Sequence, residues 1–303
     1  GGSTGGTPVW LLNSPGEYAE WTLQALQYLR SRYNLCADYC CICNEAGNNN
    51  DFTTPVVAAM IKTLGPRLES LGFRTRLQFP ESVSGNNAWT AIQAVQGDAE
   101  LWRWVGLVSY HLYGSNNSRT NIRDFAWSRS LPTAQTEYMG LGIAWLYDDL
   151  TQGGVSTWEW YAINDFLPIS TDRTWFSRNV NFWQTRQVTK FVRPGATRID
   201  ATSSLATLRP LAFLQSGGVL LVLVNNTDSQ ARAVEVSGLR PGVYARSQTT
   251  GGVAQELGVV TVPESGSLTV NLPAYAVFTL YPHPGTNLPP QVTDWKATPS
   301  YLK

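Results

Sequence analysis

Residues 88–111 read AWTAIQAVQGDAELWRWVGLVSYH and decide the fold of the first part of the chain. Apolar side chains recur at helical spacing over residues 88–104, and a short, nearly continuous apolar run over residues 105–111 follows at once. The first pattern predicts a helix and the second predicts a buried β-strand. A helix that leads so directly into a buried strand is typical of a parallel α/β sheet.

The same alternation continues on both sides of this segment. Further strands are predicted over residues 38–44, 74–80, 133–137 and 155–161. Further helices are predicted over residues 15–29, 54–68, 122–130, 141–151 and 175–191. Strands and helices that take turns with short links require parallel strands and right-handed crossovers, so the sequence predicts an α/β sheet or barrel.

The pattern changes after Arg193-Pro194-Gly195, where short β-rich runs replace the helical period. Turn signals such as Arg240-Pro241-Gly242 separate these runs, which is typical of a small antiparallel β-sandwich. We therefore predict three segments. They are an α/β domain over residues 1–192, a β-sandwich over 193–283, and a proline-rich tail or linker over 284–303.

Composition excludes several classes of protein. The chain has 22 Lys and Arg against 22 Asp and Glu, so it lacks the positive field that nucleic-acid binding requires. Hydrophobic residues make up 43% of the chain and charged residues only 15%, which predicts a large core. The longest aliphatic run, Val219–Val224, is far shorter than the roughly 18–20 residues of a membrane span. The oligomeric state stays open.

The four cysteines lie within eight residues of one another and are expected to act as small buried apolar side chains. No second Cys or His pair has zinc-site spacing, because the chain holds only two histidines, His111 and His283. The sequence therefore predicts neither a metal nor a cofactor. A serine-hydrolase interpretation also fails, because no Gly-x-Ser-x-Gly turn occurs.

Candidate functional residues follow the predicted strands, because the carboxyl ends of parallel strands form one open rim. The ends carry Asn44-Glu45, His111-Leu112-Tyr113, Glu137 and Trp160. Two carboxylates at one rim suit glycoside hydrolysis, in which one acid protonates the leaving oxygen and one carboxylate attacks or activates water. The amide suits a sugar hydroxyl, and the aromatic rings suit the C–H faces of a sugar.

Other polar residues near the predicted strand ends are weaker candidates than this pair. Glu81 ends the strand between the two candidates and is expected either to line the cleft or to be structural. Glu159 alternates with Trp158 and Trp160, so it is expected to face the helices. Residues 48–51 are expected to form a polar loop, with a sugar-contacting edge as the alternative.

The strand ends resemble those of the clan A retaining glycoside hydrolases, in which Asn-Glu, His-x-Tyr and Thr-Glu-Tyr end strands four, six and seven. Phe191-Val192-Arg193-Pro194-Gly195-Ala196, followed by a β-domain, is similar to glycoside hydrolase family 30. The resemblance covers roughly residues 1–282. It implies a (β/α)8 barrel with a fused β-sandwich, a β-linked carbohydrate substrate, and secretion.

By that resemblance, Glu45 would be the general acid and base and Glu137 the nucleophile. Asn44 would hold the sugar 2-hydroxyl, and Tyr113 would hydrogen-bond the nucleophile. His111 would line the pocket and Trp160 would form its floor. The implied function is retaining hydrolysis of a β-linked glycan or glycoside by double displacement.

Two alternatives remain. One is a catalytically inactive, carbohydrate-binding homologue, and the other is a structural sandwich protein with an appended α/β scaffold.

The chain departs from the family in length, because only about five of the eight βα units of a full barrel can be found in it. The opening Gly-Gly-Ser-Thr-Gly-Gly and Asn13-Ser14-Pro15 resemble the loop after strand three of the family. We therefore expect the N-terminal units to be missing. Such a chain is expected to be inactive or weakly active by itself.

Overall fold

The computed structural model describes residues 9–48, 51–140, 142–215, 218–225 and 227–283. The opening residues 1–8, Asn49 and Asn50 of the predicted polar loop, and the predicted tail over 284–303 lie outside the described residues. Backbone packing divides the chain into two compact units. The first holds the described residues up to Gly140 together with Asp148–Ala162, and the second holds the other described residues.

A five-stranded parallel sheet forms the centre of the first unit. Its strands, in spatial order, are β1 (Tyr39–Cys41), β2 (Arg76–Ser82), β3 (Val105–His111), β4 (Thr133–Glu137) and β5 (Val155–Trp158). The five predicted strands and their parallel arrangement are confirmed. Within the described residues β1 and β5 each pair with one neighbour, so this sheet is open, and closure into an eight-stranded barrel stays a prediction.

Two helices precede β1, and four more connect the first four strands along the chain. They are α1 (Val9–Leu12), α2 (Pro15–Tyr33), α3 (Thr54–Ser70), α4 (Gly85–Val95), α5 (Ala99–Trp104) and α6 (Arg119–Trp127). The single helix predicted over 88–104 is two helices, because Asp98 caps α5 by accepting a hydrogen bond from the Leu101 amide at 3.0 Å. None of the helices within the described residues is long and apolar enough to cross a membrane.

Two one-residue bulges lie at the carboxyl ends of the central strands. Pro80 pairs with Ser109 and Ser82 with Tyr110, so Glu81 is an extra residue in β2. Tyr110 also pairs with Gln135, and the next pair is His111 with Glu137, so Thr136 is an extra residue in β4. A bulge reverses the alternation of side chains beyond it and re-aims them.

The four cysteines, which lie before, along and just after β1, are all free. Cys40, Cys41 and Cys43 are half-buried, and burial raises the pKa of the Cys41 thiol to about 12 and that of Cys43 to about 11. The expectation of four buried cysteines is wrong for Cys36, which is exposed because it lies in the loop before β1.

In the sequence, α7 (Ile143–Asp148) and a π-helical turn over Asp149–Gly153 lie between β4 and β5, and a 3-10 turn over Ile163–Asp165 and α8 (Val180–Thr189) follow β5. Antiparallel strands follow, as predicted. They are β6 (Thr197–Ile199), β7 (Arg209–Gln215), β8 (Gly218–Val224), β9 (Arg232–Val236), β10 (Gly242–Thr250), β11 (Val253–Val262), β12 (Leu268–Leu272) and β13 (Val277–Pro282).

These strands form a six-stranded sheet in the order β11-β10-β13-β8-β7-β6 and a two-stranded sheet of β12 and β9. One hydrophobic cluster takes side chains from both sheets, including Leu221 and Leu223 of β8 and Val270 and Leu272 of β12. The sequence did not predict β6, which is only three residues long.

Residues 163–192 group with these sheets, whereas the sequence-based boundary follows residue 192. The reason is visible at α8, whose buried Gln187 donates hydrogen bonds to Thr249 at 2.9 Å and Ser247 at 3.2 Å and accepts one from Thr279 at 2.8 Å. Since a buried amide requires such partners, α8 packs with the β-domain.

Candidate active site

Glu45 lies in a tight turn, and not directly at the end of a strand. The strand predicted to reach residue 44 ends at Cys41, and residues 44–47 form a turn that the Asn48 amide closes by donating to the Glu45 carbonyl at 2.9 Å. Glu45 has a φ of +51°, in the left-handed region that few residues other than glycine adopt. The turn aims its side chain at His111.

His111 is the centre of the site and its side chain is completely buried. Its Nδ1 lies 3.0 Å from Oε1 of Glu45 and 3.9 Å from Oε1 of Glu137, and its Nε2 lies 3.1 Å from Oε1 of Glu81. Three carboxylates, one from the turn after β1 and two from the ends of β2 and β4, therefore surround one imidazole. Burial lowers the pKa of His111, but the hydrogen bonds and negative charges of these carboxylates outweigh it and raise the pKa above its usual value.

Glu137 and Tyr113 are brought together as predicted. A hydrogen bond joins the Tyr113 hydroxyl to the Glu137 carboxylate. Burial, with the charge and hydrogen bond of Glu137, raises the pKa of the Tyr113 phenol, so the phenol stays protonated and donates. The Glu137 side chain keeps about a fifth of its surface exposed, which leaves it accessible to a small molecule.

The second oxygen of Glu45 has its own partner. Asn48 Nδ2 donates a hydrogen bond to Oε2 of Glu45 at 2.8 Å. The sequence predicts Asn48 as part of a polar loop. In the sequence, its only link to Glu45 is that it lies three residues further along the chain. Both oxygens of the Glu45 carboxylate are thus oriented by neighbouring side chains.

Aromatic rings continue from the carboxylates along the rim. Tyr113 and Tyr138 have ring centroids 5.5 Å apart, Tyr138 and Trp160 6.4 Å apart, and Trp160 and Trp158 4.8 Å apart. Trp160, predicted as a pocket floor, belongs to this row and is half-buried. Asn44, the other predicted sugar contact, is exposed.

The rings of Trp158 and Trp160 lie together, with centroids 4.8 Å apart, which agrees with the expectation that both face one side. The strand β5 ends at Trp158, whose indole Nε1 donates to Asp149 Oδ2 at 3.0 Å, whereas Trp160 contacts Tyr138. Glu159 is exposed, and its place facing the helices stays a prediction. Partial burial and the charge of Glu81 raise its pKa.

The geometry of three groups is also compatible with a cation. One oxygen of Glu45, one oxygen of Glu137 and one ring nitrogen of His111 lie within 4.8 Å of one another. Carboxylate oxygens and imidazole nitrogens are common metal ligands. The ring nitrogen and Glu45 already meet at an ordinary hydrogen-bond distance, so we interpret the cluster as a hydrogen-bonded acid group.

A pocket of about 230 Å³ opens beside Glu45. Its lining is uncharged and mostly small or polar: Ala46, Gly47, Asn48, Thr54, Ser82, Val83, Asn87, Thr90 and Ala91. Hydroxyl and amide groups of this kind suit a neutral, hydroxyl-rich ligand. Ala46, Gly47 and Asn48 of this lining follow Glu45 directly in the chain and no lining residue follows Glu137, so the pocket lies on the Glu45 side of the carboxylate pair.

Glu81 is the main functional candidate that sequence reasoning undervalued. The sequence predicts for it either a cleft-lining or a structural role, although the criterion that selects Glu137, a carboxylate at a strand end, applies to Glu81 as well. Its burial and its contact with His111 come from the bulge in β2, which no local pattern predicts.

Comparison with solved structures places the fold. A family 30, subfamily 8 xylanase from Clostridium acetobutylicum matches with a TM-score of 0.75 and 18% identity, over 88% of this chain and 71% of that chain. A family 30 endoxylanase from Clostridium papyrosolvens has a TM-score of 0.71 and 18% identity over the same shares. A conserved exported protein from Bacteroides fragilis has a TM-score of 0.71 and 16% identity, over 88% of this chain and 69% of that chain.

No protein family model and no curated protein matches the chain. The structural likeness shows that this chain has a glycoside hydrolase family 30-like fold.

Proposed function

We propose that this chain, whose fold is that of family 30 glycoside hydrolases, is a retaining β-glycoside hydrolase acting on a β-linked glycan. The closeness of Glu45 and Glu137, with one oxygen of each within 4.8 Å of the other, carries the proposal. Retaining enzymes hold their two carboxyl groups about 5–5.5 Å apart, whereas inverting enzymes hold them roughly 6.5–9.5 Å apart to admit water. The short separation supports double displacement.

In the first step Glu137 is the nucleophile. Its carboxylate oxygen attacks the anomeric carbon, the bond from that carbon to the leaving oxygen breaks, and Glu45 gives its proton to that oxygen. The products are a glycosyl ester on Glu137 and a free alcohol. The Tyr113 hydroxyl orients the attacking carboxylate through its hydrogen bond.

In the second step Glu45 is the base. It takes a proton from water, the water oxygen attacks the anomeric carbon, and the ester bond to Glu137 breaks to restore the carboxylate. Glu45, which gave up its proton in the first step, is the carboxylate that accepts one from water in the second.

The remaining predicted residues bind the sugar in this proposal. Asn44 holds the 2-hydroxyl, Trp160 supports the sugar ring, and His111 lines the pocket. No cofactor is required by this chemistry. Because one similar structure is that of an exported protein, we include secretion in the proposal.

Product stereochemistry tests this function. The protein is incubated at high concentration with aryl β-xylosides, aryl β-glucosides, xylan and a β-glucan, and the first sugar released is followed by NMR. We expect the β-anomer to appear first. An α-anomer would contradict retention, and saturable tryptophan fluorescence quenching by oligosaccharides without any release would favour the inactive, carbohydrate-binding alternative. Neither release nor binding would favour the structural scaffold. A parallel incubation with a chelator should leave release unchanged.

Narrowing the pocket beside Glu45 should weaken the binding of substrates that have a sugar as leaving group. Because the acid protonates the leaving oxygen, the leaving group occupies the Glu45 side, where exposed Thr90 lines the pocket. We expect Thr90→Tyr to raise the KM for oligosaccharides about 10-fold, a loss of roughly 1.4 kcal/mol of binding. The KM for small aryl glycosides should change much less.

Thr189→Tyr is the matched control for this change. Thr90 and Thr189 are both exposed helical threonines whose hydroxyls donate to the carbonyl four residues earlier, at 3.1 Å and 3.3 Å. Equal KM changes in both variants, or no change in Thr90→Tyr, would contradict the assignment of the pocket.

A further inference from the structure

Glu81 is a buried carboxylate that the double displacement does not use. Only 8% of its side chain is exposed. It is the extra residue of the β2 bulge and has a φ of +56°, so two of the six described non-glycine residues with positive φ are site carboxylates, Glu45 and Glu81. Bulges and left-handed residues cost free energy and concentrate at functional sites.

The contacts of Glu81 lead to Glu45 through one ring. Its Oε2 accepts a hydrogen bond from Thr136 Oγ1 at 2.9 Å, and its Oε1 lies 3.1 Å from His111 Nε2. The other ring nitrogen, Nδ1, lies 3.0 Å from Glu45 Oε1. A completely buried imidazole thus has a carboxylate oxygen at hydrogen-bond distance from each nitrogen.

The number of protons shared by Glu81, His111 and Glu45 limits the protonation states that these three side chains can adopt. Burial raises the pKa of Glu81, but the hydrogen bond and charge of His111 outweigh it and lower the pKa below its usual value, so Glu81 is an anion. An ionised carboxylate only accepts hydrogen bonds, so His111 Nε2 carries the hydrogen. With this hydrogen on Nε2, a neutral imidazole has none on Nδ1, so the proton in the contact between Nδ1 and Glu45 is then on the Glu45 carboxyl. If His111 is instead protonated, the proton is on Nδ1 and Glu45 accepts it. In both states the contact holds a single proton.

We propose that Glu81 is a positioning residue for the catalytic proton: it holds His111 with hydrogen on Nε2, so that Nδ1 shares one proton with Glu45. This inference rests on the proposed acid role of Glu45. When the leaving oxygen departs, that proton goes to it from Glu45 and Nδ1 is left with its lone pair. When Glu45 later takes a proton from water, the shared proton is restored. His111 Nε2–H stays bonded to Glu81 throughout.

Several charged or titratable groups face Glu81 and His111. His111 meets Glu45, Glu81 and Glu137, and the Tyr113 ring lies 6.1 Å from its ring. The Cys41 thiol and the Glu159 carboxyl interact electrostatically with Glu81. Glu81 is the anion on the Nε2 side of His111, so its charge favours the protonated imidazole. Removing it should let His111 lose its proton at lower pH.

The first test compares leaving groups in Glu81→Gln, which keeps the shape of the side chain and removes its charge. General acid catalysis contributes about 10²–10⁴-fold. We expect kcat/KM for an unsubstituted phenyl glycoside to fall about 10²-fold. For the 2,4-dinitrophenyl glycoside, whose leaving group needs no proton, we expect less than about a 5-fold fall. Equal losses on both substrates, or no loss on either, would overturn the proposal.

A second test needs no turnover, which separates this inference from the proposed function. The chain has two histidines, so ¹⁵N-histidine NMR with His283→Gln assigns the ring signals of His111. We expect a proton bound at Nε2 and, in Glu81→Gln, loss of the imidazolium signal about one to two pH units lower. An Nε2 without hydrogen, or an unchanged titration, would overturn the role of Glu81. Absent hydrolysis with the expected spectra would instead count against the proposed function.

Discussion

Glu137→Gln should abolish hydrolysis and leave glycan binding intact. The amide keeps the size of the side chain and its place beside Tyr113, but it has no negative charge with which to attack the anomeric carbon. Removing the nucleophile of a hydrolase can cost 10⁴-fold or more in kcat, so we expect at least about a 10⁴-fold loss. Sugar release measures the first effect, and tryptophan fluorescence during oligosaccharide titration measures the second.

Glu264→Gln is the matched control for this substitution. Glu264 is an exposed glutamate in a turn of the β-domain, so the same chemical change there should leave kcat within about 2-fold. Hydrolysis by Glu137→Gln at the rate of the unsubstituted protein would rule out a nucleophilic role. Loss of both hydrolysis and binding would indicate that the substitution disturbs the fold, and circular dichroism would reveal it.

The stereochemistry of the glycosyl azide formed by each variant distinguishes the roles of the two carboxylates. In Glu137→Gly, azide enters from the face that Glu137 has vacated and gives an α-glycosyl azide from an activated β-glycoside. In Glu45→Gly, the glycosyl ester on Glu137 still forms, and azide then displaces it to give the β-azide. The opposite assignment of products would exchange the roles of Glu45 and Glu137.

The largest loss of stability is expected at Asp149, which is completely buried. Its Oδ1 accepts hydrogen bonds from Arg119 Nε at 2.6 Å and the Tyr110 hydroxyl at 2.9 Å, and its Oδ2 accepts one from Trp158 Nε1 at 3.0 Å. Burial raises the pKa of Asp149, and the charge and hydrogen bond of Arg119 offset part of that rise. Donors therefore face both oxygens of this carboxylate.

Asp149→Asn should lower the free energy of unfolding by about 3–5 kcal/mol, because it leaves the buried Arg119 charge without its anion. Whichever way the new amide is turned, its NH2 group faces a donor. Urea denaturation followed by tryptophan fluorescence measures the change. Asp124→Asn is the control on α6, because Asp124 is an exposed partner of Arg123 at 2.8 Å and should cost less than about 1 kcal/mol. Equal effects of the two substitutions would contradict the importance of the buried pair.

The helices and strands of the first unit were largely predictable, because apolar spacing is a local property of the chain. Boundaries were less so. The strand around Cys41 ends three residues early, and the helix over 88–104 breaks at Asp98, because a turn and a capping carboxylate prevail over the apolar pattern. The boundary of the β-domain also shifts, since the partners of Gln187 lie some 60 to 90 residues further along the chain.

For the candidate site, sequence reasoning selected most of the residues but not their orientation. Strict alternation places Glu81 on the side of Phe79, whose ring packs against Trp102 of α5 at 5.7 Å. It also places Glu137 on the side of Gln135, the partner of Tyr110, whose hydroxyl reaches the buried Asp149. The bulges at Glu81 and Thr136 reverse both assignments and bring the two carboxylates to His111.

For the first unit, the sequence by itself determined which five strands form, that they run parallel, and that Glu45, His111 and Glu137 follow strands of the same sheet. Each of those properties follows from runs of neighbouring residues and from the order of elements along the chain. Only the tertiary structure decided which side chains meet. A bulge arises from the pairing of strands that are distant in sequence, and one extra residue reverses every side chain beyond it.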